Sequence, residues 1–347
     1  MLQTDADFNL LKKISVSNIH FLSLNEKINF ERYLDSVADR GGYDALFEKI
    51  RTISKDEIFE IAGRKSTRAV WDGDENLKKA RLAKKIIDSF GIKAVFYGES
   101  NFPTMLSKST EVTDPPYSLF YRGNLDVLKR HCVSVVGTRR ATFDALKAAS
   151  DFSKAACDDG ACVISGLAFG IDIESHKGAM SSSNPATVAV LPGGIDVIVP
   201  KSHAKYAAKI LSTGGLLMSE YIPGTPAEKF RFVQRNRIVA ALSPATVVIQ
   251  APAGSGSMIT AGLALGYNRE VFFHSANFSG QSAKLCEAVA NQLLNDVRCG
   301  LKTKESVACK IDNSPLSFVS SGAKVISSYA EYKSNLYGEN SEKIVKN

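Results

Sequence analysis

The sequence predicts an α/β fold: a doubly wound, mostly parallel sheet with a small helical unit before it and a short extension after it. Two observations predict this. Between Cys132 and Phe273, short runs apolar on both faces alternate with stretches of helical period, the pattern of parallel strands covered by helices on either side. The runs also stop at glycine-containing turns that open into the next helix, beginning with Ser134-Val-Val-Gly-Thr-Arg-Arg140 and recurring four more times downstream. Sheets of this kind bind ligands in the crevice beyond the carboxyl ends of their strands.

Residues 1–85 are expected to be helical. Apolar positions recur at steps of three and four in Leu10, Leu11 and Ile14, then in Phe30, Tyr33, Leu34 and Val37, and Gly41-Gly42 marks a helix junction. The basic run Lys78-Lys-Ala-Arg-Leu-Ala-Lys-Lys85 is a solvated connector face rather than a contact surface. From Ile86 to Leu125, Ala94–Tyr97 and Ser118–Gly123 read as strands that add edge elements to the coming sheet. The central unit, residues 86–280, carries strands at Cys132–Val136, Cys162–Ser165, Thr187–Leu191, Leu216–Ser219, Thr246–Ile249 and Glu270–Phe273. A helix over Thr142–Asp158 presents Leu146, Ala149, Phe152 and Ala156 on one face, and another is expected over Gln234–Leu242. In the last unit, 281–347, Leu285–Val297 suits an amphipathic helix and Thr303–Ser317 an irregular stretch. Ala323–Ile326 suits a returning strand, Ser328–Leu336 a helix, and Gly338–Asn347 a frayed end.

Composition bounds the function more loosely. Across 347 residues, 43 Lys+Arg against 36 Asp+Glu give a net charge of +7, a mildly basic balance compatible with nucleic acid. The six cysteines lack C-x-x-C spacing, as expected of reduced thiols. No apolar run reaches membrane-spanning length, and the first residues lack a basic and apolar leader pattern. A cytoplasmic protein without cofactor or metal is expected.

Four loops carry the chemistry. In the first, Gly137, Thr138 and Arg139 set a guanidinium at a helix start, suited to bidentate phosphate binding; G-x-G-x-x-G, the dinucleotide signature, is absent. In the second, Ser165, Gly166 and Gly170 allow close backbone approach, and Asp172 with His176 forms a structural pair orienting the loop. The third, Lys229-Phe-Arg-Phe-Val-Gln-Arg-Asn-Arg237, alternates cations with rings as an extended segment entering a helix. That chemistry suits single-strand binding, although both phenylalanines could equally be core. In the fourth, Gly254, Ser255, Gly256 and Ser257 form a cradle of backbone N–H groups.

These stretches resemble the DNA-processing protein DprA/Smf family. The likeness runs through V-V-G-T-R from Val135, S-G-L-A-x-G-I-D-x-x-x-H-x-G-A from Ser165 and A-V-L-x-G-G-I-D-V-I-x-P-K from Ala189. It continues in G-G-L-L-x-S-E-Y-x-P-G from Gly214, F-x-x-R-N-R-I-V-A-x-L-S from Phe232 and G-S-G-S-x-I-T-A-x-x-A from Gly254. It covers about residues 92–273. The resemblance implies an extended Rossmann-like fold and a cytosolic, non-catalytic, homodimeric protein. Such a protein binds single-stranded DNA and loads a RecA-type recombinase, as in natural transformation. It marks Arg139, Lys201, Lys229, Phe232, Arg235, Asn236 and Arg237 as DNA contacts. Departures are Gln250 in place of an acid, Val233 in place of a proline, and Phe273-His274-Ser275 without the usual Pro-Gly. Around Leu285–Ser317 the likeness ends. The alternatives are a nucleotide-binding sensor and a phosphoribohydrolase acting on nucleoside monophosphates, whose P-G-G-x-G-T-x-x-E motif would put Thr260 where the catalytic glutamate belongs. A threonine cannot serve as that carboxylate.

Overall fold

In the computed structural model, which describes residues 4–65, 68–107 and 110–338, each N-terminal helix begins at a side chain that accepts from an open N–H group. Helix α1 (Asp5–Ser17) starts at Thr4, whose hydroxyl accepts from the Asp7 N–H. Helix α2 (Leu24–Thr52) starts at the reciprocal Ser23–Glu26 capping box and kinks at Gly42, where φ is 73°. Helix α3 (Lys55–Ile61) is capped by Ser54 and α4 (Gly73–Phe90) by Asp72. Helix α4 therefore runs through the expected boundary at residue 85. The apolar stripes of these helices, including Leu11, Ile14, Leu34 and Leu77, join a core that continues into sheet residues Phe120, Ala189 and Leu217.

The strands are β1 (Lys93–Phe96), β2 (Ser118–Gly123), β3 (Cys132–Val136), β4 (Cys162–Ser165), β5 (Thr187–Val190), β6 (Leu216–Ser219), β7 (Ala245–Val248) and β8 (Glu270–His274), with β9 (Lys324–Ile326) near the carboxyl end. Between them lie α5 (Phe143–Asp158), α6 (Ile171–Met180), α7 (Ala204–Ser212), α8 (Lys229–Ala241) and α9 (Gly256–Gly266). The order is β1-β2-β6-β5-β4-β3-β7-β8-β9. β1 and β2 pair antiparallel at one edge, and every pairing from β6 to β9 is parallel. The doubly wound sheet is as expected. Strand order reverses at β3, with β4 on one side and β7 on the other, and ligands of such sheets bind at that switch point.

In the C-terminal segment the expected strand and final helix are present, and one stretch differs. Thr303–Ser317 is helical rather than irregular: α11 (Lys304–Asp312) is capped by Thr303 and α12 (Pro315–Ser320) by Ser314. They follow α10 (Gly280–Arg298). β9 then completes the sheet in register with β8, and α13 (Tyr329–Tyr337) folds back on it. The expected fraying of the end lies, from residue 339 on, outside the described residues. Tyr332 is fully buried, edge-on to Phe152 and Phe272 at ring separations of 5.8 and 5.3 Å, and its hydroxyl meets His131 Nε2 at 3.2 Å. Burial holds the His131 ring neutral, its pKa lowered to about 4. Tyr332→Phe keeps the packing and removes one hydrogen bond, so denaturant unfolding should report a loss of about 1 kcal/mol. An unchanged midpoint would mean that the rings alone hold α13. Among the described residues no helix is long and apolar enough to cross a membrane.

Candidate nucleic-acid interface

The loop after β3 is shaped by two backbone constraints. A Cβ on Gly137 would lie 2.4 Å from Ile171 Cγ1 and 2.9 Å from the Gln250 carbonyl oxygen, so only glycine lets α6 approach β7 here. The Thr138 N–H donates to that same oxygen at 2.7 Å, and its hydroxyl accepts from the Arg140 N–H at 3.2 Å. The turn thrusts Arg139 and Arg140 outward. Both are exposed, and among the described residues neither has an acidic side chain within ion-pair distance. The Arg139 guanidinium lies 5.0 Å from the centre of the Phe232 ring, a cation–π contact.

These groups line a cleft of about 370 Å³ at the switch point. Its walls are Gly137–Arg140, the start of α6 at Asp172, one face of α8, and Ser255–Ser257 at the start of α9. Asn236 Nδ2 donates to the Gly256 carbonyl at 3.2 Å and so ties α8 to that loop. The first-turn N–H groups of α9 lie in the wall, where a helix favours an anion. Ser255 Oγ is buried there without a hydrogen-bond partner among the described residues. Thr260 sits deeper, its hydroxyl donating to the Gly256 carbonyl at 3.2 Å. Asp172 is the one carboxylate lining the cleft; burial raises its pKa, opposed by Arg235. Open cations, a ring, amide donors and an unused hydroxyl thus converge on one rim.

Residues 93–310 match the family described as DNA recombination-mediator protein A. The chain belongs to this family. It is 31% identical over 273 residues to the protein Smf of Borreliella burgdorferi, covering 79% of this chain and 82% of that one. It is 34% identical over 218 residues to the DNA processing protein DprA of Streptococcus pneumoniae, covering 62% and 73% respectively. The solved structure of S. pneumoniae DprA aligns over 95% of this chain and 97% of its own, with a TM-score of 0.60 and 24% identity, a likeness of fold. The family match runs past Phe273 and takes in most of the stretch where the motif likeness ends.

Not every position that the DprA/Smf likeness marks out lies in the cleft. Arg235 is buried: Nη1 donates to the Val190 carbonyl at 2.6 Å, and burial lowers its pKa to about 10. It passes beneath Gly166, where a Cβ would stand 1.8 Å from Nη1, so this glycine makes room for an arginine rather than for a ligand. Arg237 is locked to Glu220, and to Asp114 at 3.2 Å, on the opposite side of α8. As an outward contact, Arg237 is corrected to an internal fastening, whereas Arg235 lines the cleft from below with its guanidinium held by β5. For Arg237 the cause is helical phase, because α8 begins at Lys229 instead of Gln234; for Arg235 it is the space beneath Gly166. One face then carries Phe232, Arg235 and Asn236, and the other Phe230, Gln234 and Arg237.

Ser165 lies below the rim, its hydroxyl donating to the Val135 carbonyl at 2.7 Å. Gly170 supports the loop from behind, and Gly254 packs against Lys310 of α11. Lys201 and Lys229 are exposed beyond the cleft walls. Asp172 and His176 do not pair. The Asp172 carboxylate accepts from the Ala168 N–H at 3.4 Å, whereas His176 Nδ1 meets Thr187 Oγ1 at 2.7 Å. The Thr187 hydroxyl donates to the Val163 carbonyl, so Nδ1 carries the imidazole proton. Burial lowers this ring's pKa to about 3. Arg140 and Val233, both in the cleft wall, were absent from the sequence-predicted set. Arg140 stood in the quoted motif, and the helical phase of α8 would have found Val233.

Proposed function

We propose that the chain binds single-stranded DNA in the switch-point cleft, makes or breaks no bond, and as a cytoplasmic homodimer helps a RecA-type recombinase onto the strand. The observation that carries the strand-binding reading is the pair of exposed guanidiniums at Arg139 and Arg140, neither ion-paired among the described residues, beside the Phe232 ring. Cations follow a phosphate backbone, and a ring in the same groove stacks unpaired bases that a duplex would hide. Family membership supports the recombination role. A non-catalytic site is supported by the acid–base inventory of the cleft: among the described residues a single buried carboxylate, Asp172, with a hydrogen-bonded threonine at 260. General acid–base hydrolysis calls for a better-placed pair.

Two guanidiniums that each displace a counterion contribute a slope of about −1.4 to log K against log salt, at about −0.7 per phosphate on a single strand. Fluorescence anisotropy with oligo-dT over a range of salt measures it. A flat salt dependence, equal affinity for duplex, or free base released from nucleoside monophosphates would each overturn the proposal. Sedimentation and co-purification with the recombinase test the assembly.

A further inference from the structure

A second, larger cleft of about 680 Å³ separates the N-terminal helices from the other face of α8. Helix α8 is the partition between the two. Val233, which is exposed, lines both, while Phe230, Arg231 and Gln234 face only the second. Phe230 is 52% exposed, and the Arg231 guanidinium lies 5.1 Å from its ring centre and 5.3 Å from that of Tyr221. A large exposed ring capped on one side by a cation leaves its other side open to a flat partner.

Among the described residues lining this cleft are three cations, Lys27, Arg231 and Arg237, and two acids, Asp114 and Glu220. Lys27 of α2 points its Nζ at the Ser17 carbonyl, 2.9 Å away, and has no acidic side chain within ion-pair distance among the described residues. Desolvation lowers its pKa to about 8, opposed by Glu220 and helped by Arg237. His20, although partly open to solvent, is held down to about 4, first by the protein packed around it and then by Lys27, Arg231 and Lys79. Cations from α2, α4 and α8 therefore converge here. The acids that line the cleft, Asp114 and Glu220, are both engaged by Arg237. Glu228 and Glu75 lie 3.9 and 3.6 Å from Arg231 and Lys79 at the margins. A desolvated ammonium that no acid meets at ion-pair distance gains from an anionic occupant.

We infer that this cleft is a second single-strand site, in which Phe230 stacks a base and Lys27 and Arg231 meet the phosphates of nucleotides adjoining those in the switch-point cleft. The inference rests on the single-strand reading proposed above. Three features favour a nucleic acid strand over a protein segment: continuity through Val233, Lys27 outside ion-pair distance of any acid among the described residues, and the ring open on one side. The helical unit thereby becomes part of the binding surface.

The test is anisotropy on the full chain with oligo-dT from about 4 to about 16 nucleotides, the range of single-strand site sizes. Short oligonucleotides fill the switch-point cleft, and longer ones reach past Val233. Phe230→Ala should bind the shortest like the parent and the longest about tenfold more weakly, the loss of one stacked base. Lys27→Gln should flatten the salt slope by about 0.7 for the long oligonucleotides alone. Arg139→Ala should weaken every length. If Phe230→Ala matches the parent at all lengths, or weakens all equally, while Arg139→Ala weakens binding, the second site is wrong and the first stands; a cleft made for a protein segment gives the former result. If Arg139→Ala is also harmless, the single-strand reading falls with it.

Discussion

Arg139→Ala is expected to lower oligo-dT affinity about tenfold to a hundredfold at low salt, and to flatten the salt slope by about 0.7. A charge-assisted hydrogen bond to a phosphate contributes about 1.5–3 kcal/mol, and each phosphate released from its counterion adds its own increment to the slope. The change isolates binding because Arg139 is exposed and its ring contact with Phe232 is a surface one, so the unfolding midpoint should stay at the parent value. Arg139→Lys retains the charge but loses the planar fork, and it should fall between. Anisotropy across a salt series decides the matter: an Arg139→Ala protein with parental affinity and slope would remove the centre of the assignment.

Gly170→Ala should destabilise the fold by about 3 kcal/mol and weaken oligonucleotide binding with it. Gly170 has φ 77° and ψ −124°, a conformation costly for any residue with a Cβ. The added carbon would also stand 2.2 Å from the Thr138 carbonyl oxygen and 2.8 Å from the Arg139 carbonyl carbon. Positive-φ strain and overpacking each cost about 1–3 kcal/mol. The clash falls on the very turn that presents Arg139. Urea unfolding should show a lower midpoint with the slope unchanged. Gly256→Ala is the control: nothing lies within 4 Å of its Cβ position, so stability should hold. Equal midpoints for the two variants would show that the turn moves aside freely.

The sheet was legible because its strands are contiguous β-branched and apolar runs closed by glycine turns, and Cys132–Val136 or Leu216–Ser219 could be placed to the residue. The phase of α8 was not. Lys-Phe-Arg-Phe alternates charge and ring at a period of two, which imitates an extended segment, but the helix already begins at Lys229. That shift turns Arg237 away from the cleft and Phe230 into its neighbour. Arg235 presented a different difficulty: a run of arginines gives no sign of which one will be buried, and only the space over Gly166 shows it. In Thr303–Ser317, polar composition hid two short helices whose caps, Thr303 and Ser314, were plain in the sequence. The Asp172–His176 spacing suggested a helical pair, yet the imidazole found Thr187 on β5, a partner that no local spacing reveals.

The fastenings of α8 have a mechanical consequence. Arg235 bolts it to β5 beneath, and Arg237 bolts it sideways to Glu220 and Asp114, so the ridge crowned by Val233 cannot tilt without breaking a buried hydrogen bond and two ion pairs. A flexible polymer draped across that ridge must adapt its own spacing to the protein, which then serves as a caliper with jaws set at a constant gap.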